Sequence, residues 1–155
     1  MSKAEPIAHK LLDEGARTIA FLSNLAPEVW AKPCHGEGSD WTVRDVVEHL
    51  ISSEEGLRSQ FRQISTGGEG APEGFDIDGF NASRKNKLAE MTHEQLFERY
   101  TYSRNRTAEF ARGLSDEQLA IMGRHPALGM CALAEMLKMM YLHHTMHIKE
   151  IKKVI

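Results

Sequence analysis

The sequence predicts an all-α protein: a four-helix bundle with crossover connections, plus one or two short helices within those connections. Three observations predict it. Four long segments carry apolar side chains at three- and four-residue spacing, Gly- and Pro-rich stretches separate them, and no segment shows the strict alternation of a half-buried strand. A helix with one apolar face needs neighbours to cover it, so four such helices make a bundle. At 155 residues, 41% apolar and 26% charged, the chain suits one domain spanning residues 1–155 with a proper core.

The first helix is expected over residues 5–25, where Ile7, Leu11, Leu12, Ile19, Leu22 and Leu25 share a face and Pro27 follows. Residues 27–40, rich in Pro, Gly and charge, read as a surface loop. Thr42 is the expected N-cap of the second helix, with Asp45 three residues on to meet its free amides. Val43, Val46, Val47, Leu50, Leu57, Phe61 and Ile64 supply its apolar stripe. Gly67, Gly68, Gly70 and Gly74 dissolve its end, and a short helix is expected over 78–89. This long excursion permits a crossover connection. Thr92 and Gln95 have the capping-box form and open a third helix bearing Leu96, Phe97, Tyr100, Ala108 and Ala111, which Gly113 stops. Ser115 and Gln118 repeat the form for a turn or two, residues 123–129 read as a loop, and the last helix runs from about Cys131 to the end.

The net charge of -3 is small and dispersed, so no basic stripe exists to hold a phosphate backbone, and nucleic acid is excluded as a partner. No apolar run reaches bilayer length and the first ten residues lack the core of a secretory signal, so a cytoplasmic protein with no membrane association is expected. Cys34 and Cys131 match no paired-cysteine pattern and are expected to be free thiols. Cys34 stands beside His35, but nothing at ligand spacing makes the two a metal site.

Histidines carry the functional signal. On a helical wheel His143, His144 and His147 fall among Leu133, Met136, Met140, Ile151 and Val154, opposite Lys138, Lys149 and Lys152. An unsatisfied ring there costs about 1 to 3 kcal/mol, so the three either join a core hydrogen-bond network or bind a metal. Neutral imidazole in a dry helical face is a ready metal ligand, and rings four apart address one point. His49, at the flank of the second helix beside Ser53, Gly56 and Gln60, is the candidate third ligand. Three His ligands leave a coordination position open, the mark of a catalytic metal, which could activate a water or a thiol. Asp45 and Glu150 lie one turn from His49 and His147; each could orient a ring, or serve as a helix-end charge or surface ion pair. Arg104 shares a face with Phe97, Ala108 and Ala111. It could contact a substrate carboxylate, against the alternative of an ion pair with a bundle glutamate. Trp41 could wall a pocket or simply pack, and the methionines of the last two helices are core fillers that could also floor one. His93 and His125 read as surface residues.

WTVRDVVEHL (41–50) and HHTMHIKEI (143–151) resemble the two signatures of the DinB-like superfamily, and FDIDGFN (75–81) and RHPALG (124–129) resemble its intervening segments. The resemblance spans nearly the whole chain and extends to relatives with a mycothiol-dependent maleylpyruvate isomerase N-terminal domain. It implies a four-helix bundle with crossover connections, often dimeric, and a divalent metal such as zinc or nickel held by His49, His143 and His147, with His144 left as a neighbour. Members often carry Gln where this chain has Glu150. The implied activities include thiol S-transfer with mycothiol, bacillithiol or glutathione, and maleylpyruvate isomerisation. No further domain follows the bundle here, so something other than that isomerase is expected. The expectation is therefore a metal-dependent, thiol S-transferase-like enzyme with a small-molecule substrate, possessing a low-molecular-weight thiol as co-substrate and working as a homodimer. A non-catalytic, stress-associated metal-binding bundle and a metal-dependent hydrolase are the alternatives.

Overall fold

The computed structural model describes residues 2–34 and 40–155, so His35 lies outside the described residues. Helices begin where the sequence supplies caps. α1 spans Ala4–Ser23, α2 Val43–Ser65, α3 Ile77–Arg84, α4 His93–Arg112, α5 Asp116–Leu119 and α6 Leu133–Lys152. Reciprocal capping boxes start α2 (Thr42 and Asp45), α4 (Thr92 and Gln95) and α5 (Ser115 and Gln118), each satisfying amides that a helix start leaves orphaned.

α1 and α2 each pack between α4 and α6, so the chain fills the bundle diagonally. Two apolar clusters fix the directions. At one end Leu22, Val43, Val46, Leu50, Leu96 and Ile151 meet. At the other, Leu11, Phe61, Ala111, Leu133 and Met136 meet. α2 and α4 are consequently parallel neighbours, as are α1 and α6, and the segment 66–92 must run back the length of α2, roughly 34 Å for its 23 residues. That is the crossover. It is tied at its start where the Ala71 N–H donates to the Arg124 carbonyl, and at its end where the Arg44 guanidinium donates to the carbonyls of Leu88, Ala89 and Met91.

Three expectations need correction. Residues 123–129 are not an open loop: Met122–His125 (β1) and Gly129–Ala132 (β2) pair antiparallel, with His125 opposite Gly129. Only three residues join the strands, and Gly129 takes φ +74°, the left-handed position that such a hairpin requires. The strands are too short for alternation to show in sequence. Residues 27–40 are also more than surface loop, because Pro27–Ala31 form a 3-10 turn that buries Val29 and Trp30 against the core, and the His93 ring stacks on Trp30 at 3.9 Å. Finally, α3 stops at Arg84, short of residue 89; Asn86 follows with a positive φ that ends helical continuation.

Candidate metal centre

Helical spacing brings the histidines together. His143 and His147 are one turn apart on α6, and their Nε2 atoms lie 3.0 Å from each other. Across the α2–α6 seam His49 presents its ring edge-on to both, with centroids 5.3 Å away in each case. The potential ligand atoms of all three fall within 4.8 Å of one another. His147 is fully buried and His49 nearly so, while His143 is partly open. The flank position of His49 on its own helix is what lets it face the seam.

The residues fit a divalent cation. Glu150 lies 2.8 Å from His147 Nδ1 and accepts its proton, which fixes the tautomer and turns the Nε2 lone pair toward the cluster. Two ring nitrogens as close as those of His143 and His147 must share a proton or a cation. Bonds of about 2.0–2.1 Å to a tetrahedral zinc would set ligand nitrogens about 3.3 Å apart, close to the spacing seen. Glu150 therefore orients a ring. Asp45 instead belongs to the α2 capping box, where it accepts from the Thr42 N–H and hydroxyl. Trp41 is core and packs a tilted ring 5.0 Å from His49, so it walls the cluster from outside.

His144 faces the other way, into a second polar group. Its Nδ1 lies 2.8 Å from the Tyr100 hydroxyl and 2.9 Å from Arg104 Nη2, both of which donate to it. Arg104 in turn donates to both carboxylate oxygens of Glu54 and to the Leu11 carbonyl, and Thr107 donates its hydroxyl to Glu54. Gly15 of α1 makes room: a Cβ there would stand 2.8 Å from Arg104 Cγ. Burial, and then the Arg104 charge, hold His144 well below the ordinary histidine range. Burial pushes the Tyr100 hydroxyl up to about 12. Arg104 is thus fully engaged as the partner of a bundle glutamate and does not line the cavity beside the histidine cluster.

That cavity, of about 150 Å³, opens from His49 and His143. α2 contributes Ser53, Gly56 and Leu57, the crossover segment Phe75, Ile77, Phe80 and Asn81, the hairpin His125 to Leu128, and α6 Met139 and Met140. The two methionines floor an irregular pocket as their flexibility suits them to do. The sequence suggests a surface position for His125. It is buried instead, because register puts it and Gly123 on the inward face of β1. The signal available was the pattern His-Pro-Ala-Leu-Gly, three residues between a strand-capable His and a Gly, which is a hairpin signature. Glu54, Tyr100 and the aromatic wall Phe75 and Phe80 were also missed, since nothing local marks a residue whose partner is far away in sequence.

The family model for the DinB superfamily matches residues 10–151. The chain belongs to the DinB superfamily. Two solved structures place this DinB-superfamily chain among its folds. YfiT from Bacillus subtilis, described as a probable metal-dependent hydrolase with an unusual four-helix bundle topology, aligns with a TM-score of 0.78 at 21% identity, over 99% of this chain and 87% of that one. A mycothiol-dependent maleylpyruvate isomerase aligns with a TM-score of 0.69 at 17% identity, over 96% of this chain and 59% of that one. The chain therefore spans well under two thirds of the isomerase's length. At such identities the likeness establishes the fold. No curated protein matches the chain. Among the described residues no helix is long and apolar enough to cross a membrane.

Proposed function

We propose that this protein is a metal-dependent enzyme that brings a low-molecular-weight thiol to a small, largely apolar electrophile. The carrying observation is the make-up of the cavity: it borders His49 and His143, yet among the described residues its lining holds no Cys, Lys, Arg, Asp or Glu. The one hydroxyl among those residues, on Ser53, is donated to the Leu50 carbonyl. The attacking group must therefore be brought in. A divalent cation held by neutral imidazoles, zinc or nickel in this proposal, is a Lewis acid with open positions that lowers the pKa of a thiol or water bound to it. His49, His143 and His147 would hold it, and Glu150 keeps His147 in the ligating tautomer. The apolar walls exclude water and favour a soft, weakly hydrated nucleophile over hydroxide. A cytoplasmic setting, where such thiols stay reduced, and a homodimer belong to the same proposal; sedimentation would test the latter.

The test combines metal analysis with turnover. Protein purified without an affinity tag should carry about one divalent ion per chain, lost in His143→Ala/His147→Ala and reduced in His49→Ala. Glutathione, bacillithiol or mycothiol should then react with an alkyl or aryl electrophile at a rate that needs both metal and thiol. Turnover of an ester without thiol would favour the hydrolase reading, which the description of YfiT motivates. A chelator that lowers the melting temperature while no rate is found would leave a non-catalytic metal bundle.

A further inference from the structure

Among the described residues, His125 is the one titratable side chain of the cavity wall outside the three-His cluster. The residue is 6% exposed. The backbone N–H groups of Ala127 and Leu128 both donate to its Nδ1, at 3.0 and 3.1 Å, so Nδ1 carries the lone pair and the proton resides on Nε2. Among the described residues the hydrogen bonds of the His125 ring are made at Nδ1, and Nε2 is not one of the sealed, unpartnered atoms that include Nε2 of His144. Burial, with the neighbouring His143 second, lowers the ring's pKa to about 4, which keeps it neutral at physiological pH. The hairpin has thus fixed one imidazole of the cavity wall in one tautomer, with its proton on Nε2, and that wall is largely apolar. Such a donor costs stability until an acceptor meets it. The cavity, at about 150 Å³, matches the size at which dry apolar cavities accept benzene.

We propose that His125 is a substrate-recognition residue whose Nε2–H donates to a carbonyl oxygen on a compact, otherwise apolar substrate of six-membered-ring size. This deepens the proposed function by naming what the electrophile carries. It rests on the cavity being the substrate site and not on the metal or the thiol.

The test reads binding without turnover, in metal-stripped and metal-loaded full-length protein, using cyclohexanone and its isostere methylenecyclohexane. His125→Asn keeps an acceptor where Nδ1 stood and removes the Nε2 donor. The affinity ratio of ketone to alkene should fall by about three- to tenfold in that variant, the size of one hydrogen bond, with alkene affinity unchanged. The carbonyl stretch of bound cyclohexanone should shift to lower frequency in the wild type with or without metal, and lose that shift in His125→Asn. Should the variant not fold, the ¹⁵N and ¹H resonances of His125 Nε2–H in the wild type still decide, since they should move with cyclohexanone and not with the alkene. Failure of the ketone to bind, a ratio unchanged in His125→Asn, or a carbonyl shift that vanishes on metal removal would each overturn the proposal. None of these outcomes depends on whether thiol transfer is found.

Discussion

His143 and His144 are neighbours in sequence and end in opposite surroundings. His143 joins His49 and His147 beside a cavity, in a cluster whose nitrogens converge on one point. His144 enters a closed network with Tyr100, Arg104 and, through the arginine, Glu54, where the ion pair's side chains are 2% exposed. Both groups are buried polar clusters in an apolar bundle, but they solve the cost of burial differently. The closed network pairs charge with charge inside the protein. The three-His cluster gathers three lone-pair donors of one kind, an arrangement that proteins complete with a cation. Stability should reside in the first group and ligand binding in the second.

The largest effect is expected from breaking the closed network. Glu54→Ala strands the Arg104 charge and should destabilise the protein by about 3–5 kcal/mol in denaturant unfolding, while folded protein keeps its metal stoichiometry. Acidification should come next. His125 and His144 have folded pKa values below the ordinary 6.5, so the unfolded chain binds more protons. Their contribution is complete above pH 6.5 and is lost as pH falls from there, for His125 toward about 4, at up to about 1.4 kcal/mol per pH unit for each ring. Denaturation at stepped pH would measure the slope, and His125→Asn should flatten it.

On the open side, Glu150→Gln should weaken metal affinity by about 10–100-fold in competition with a chelator, with little change in stability, because it loosens the tautomer of His147 without stranding a charge. The smallest effect belongs to Tyr100→Phe, which removes one donor to His144 and should cost about 1 kcal/mol and no metal. If Glu54→Ala emptied the metal site, or Glu150→Gln cost as much stability as Glu54→Ala, the two groups would be one unit.

Much of this division was legible from spacing. Periodicity placed all three α6 histidines inward, and the DinB-like signatures chose His143 and His147 with His49. What periodicity lacks is angular resolution: adjacent residues differ by about 100°, and both fit within a wide apolar stripe, so His143 and His144 could not be assigned to different seams. The identity of Arg104's partner was hidden for a related reason, since Glu54 lies fifty residues away on a parallel helix and nothing local marks it. Asp45 and Glu150 each sit one turn from a histidine of the cluster. The cap claimed the first, because Thr42 precedes it at capping-box distance, and only the second was left for a ring. His125 was misplaced because Pro and Gly neighbours suggest exposure, whereas a three-residue turn folded its strand onto the end of α2.

The parallel placement of α2 and α4 has an evolutionary corollary. The return segment 66–92 carries Phe75, Ile77, Phe80 and Asn81 over the cavity, yet none of the three metal-cluster histidines lies in it. This wall of the cavity and the histidine cluster are encoded in separable stretches of the gene. Insertions or exchanges in this strap can reshape that wall while the three-His cluster, seated on α2 and α6, stays as it was; the fold is modular in a way that a bundle with short hairpin links would not be.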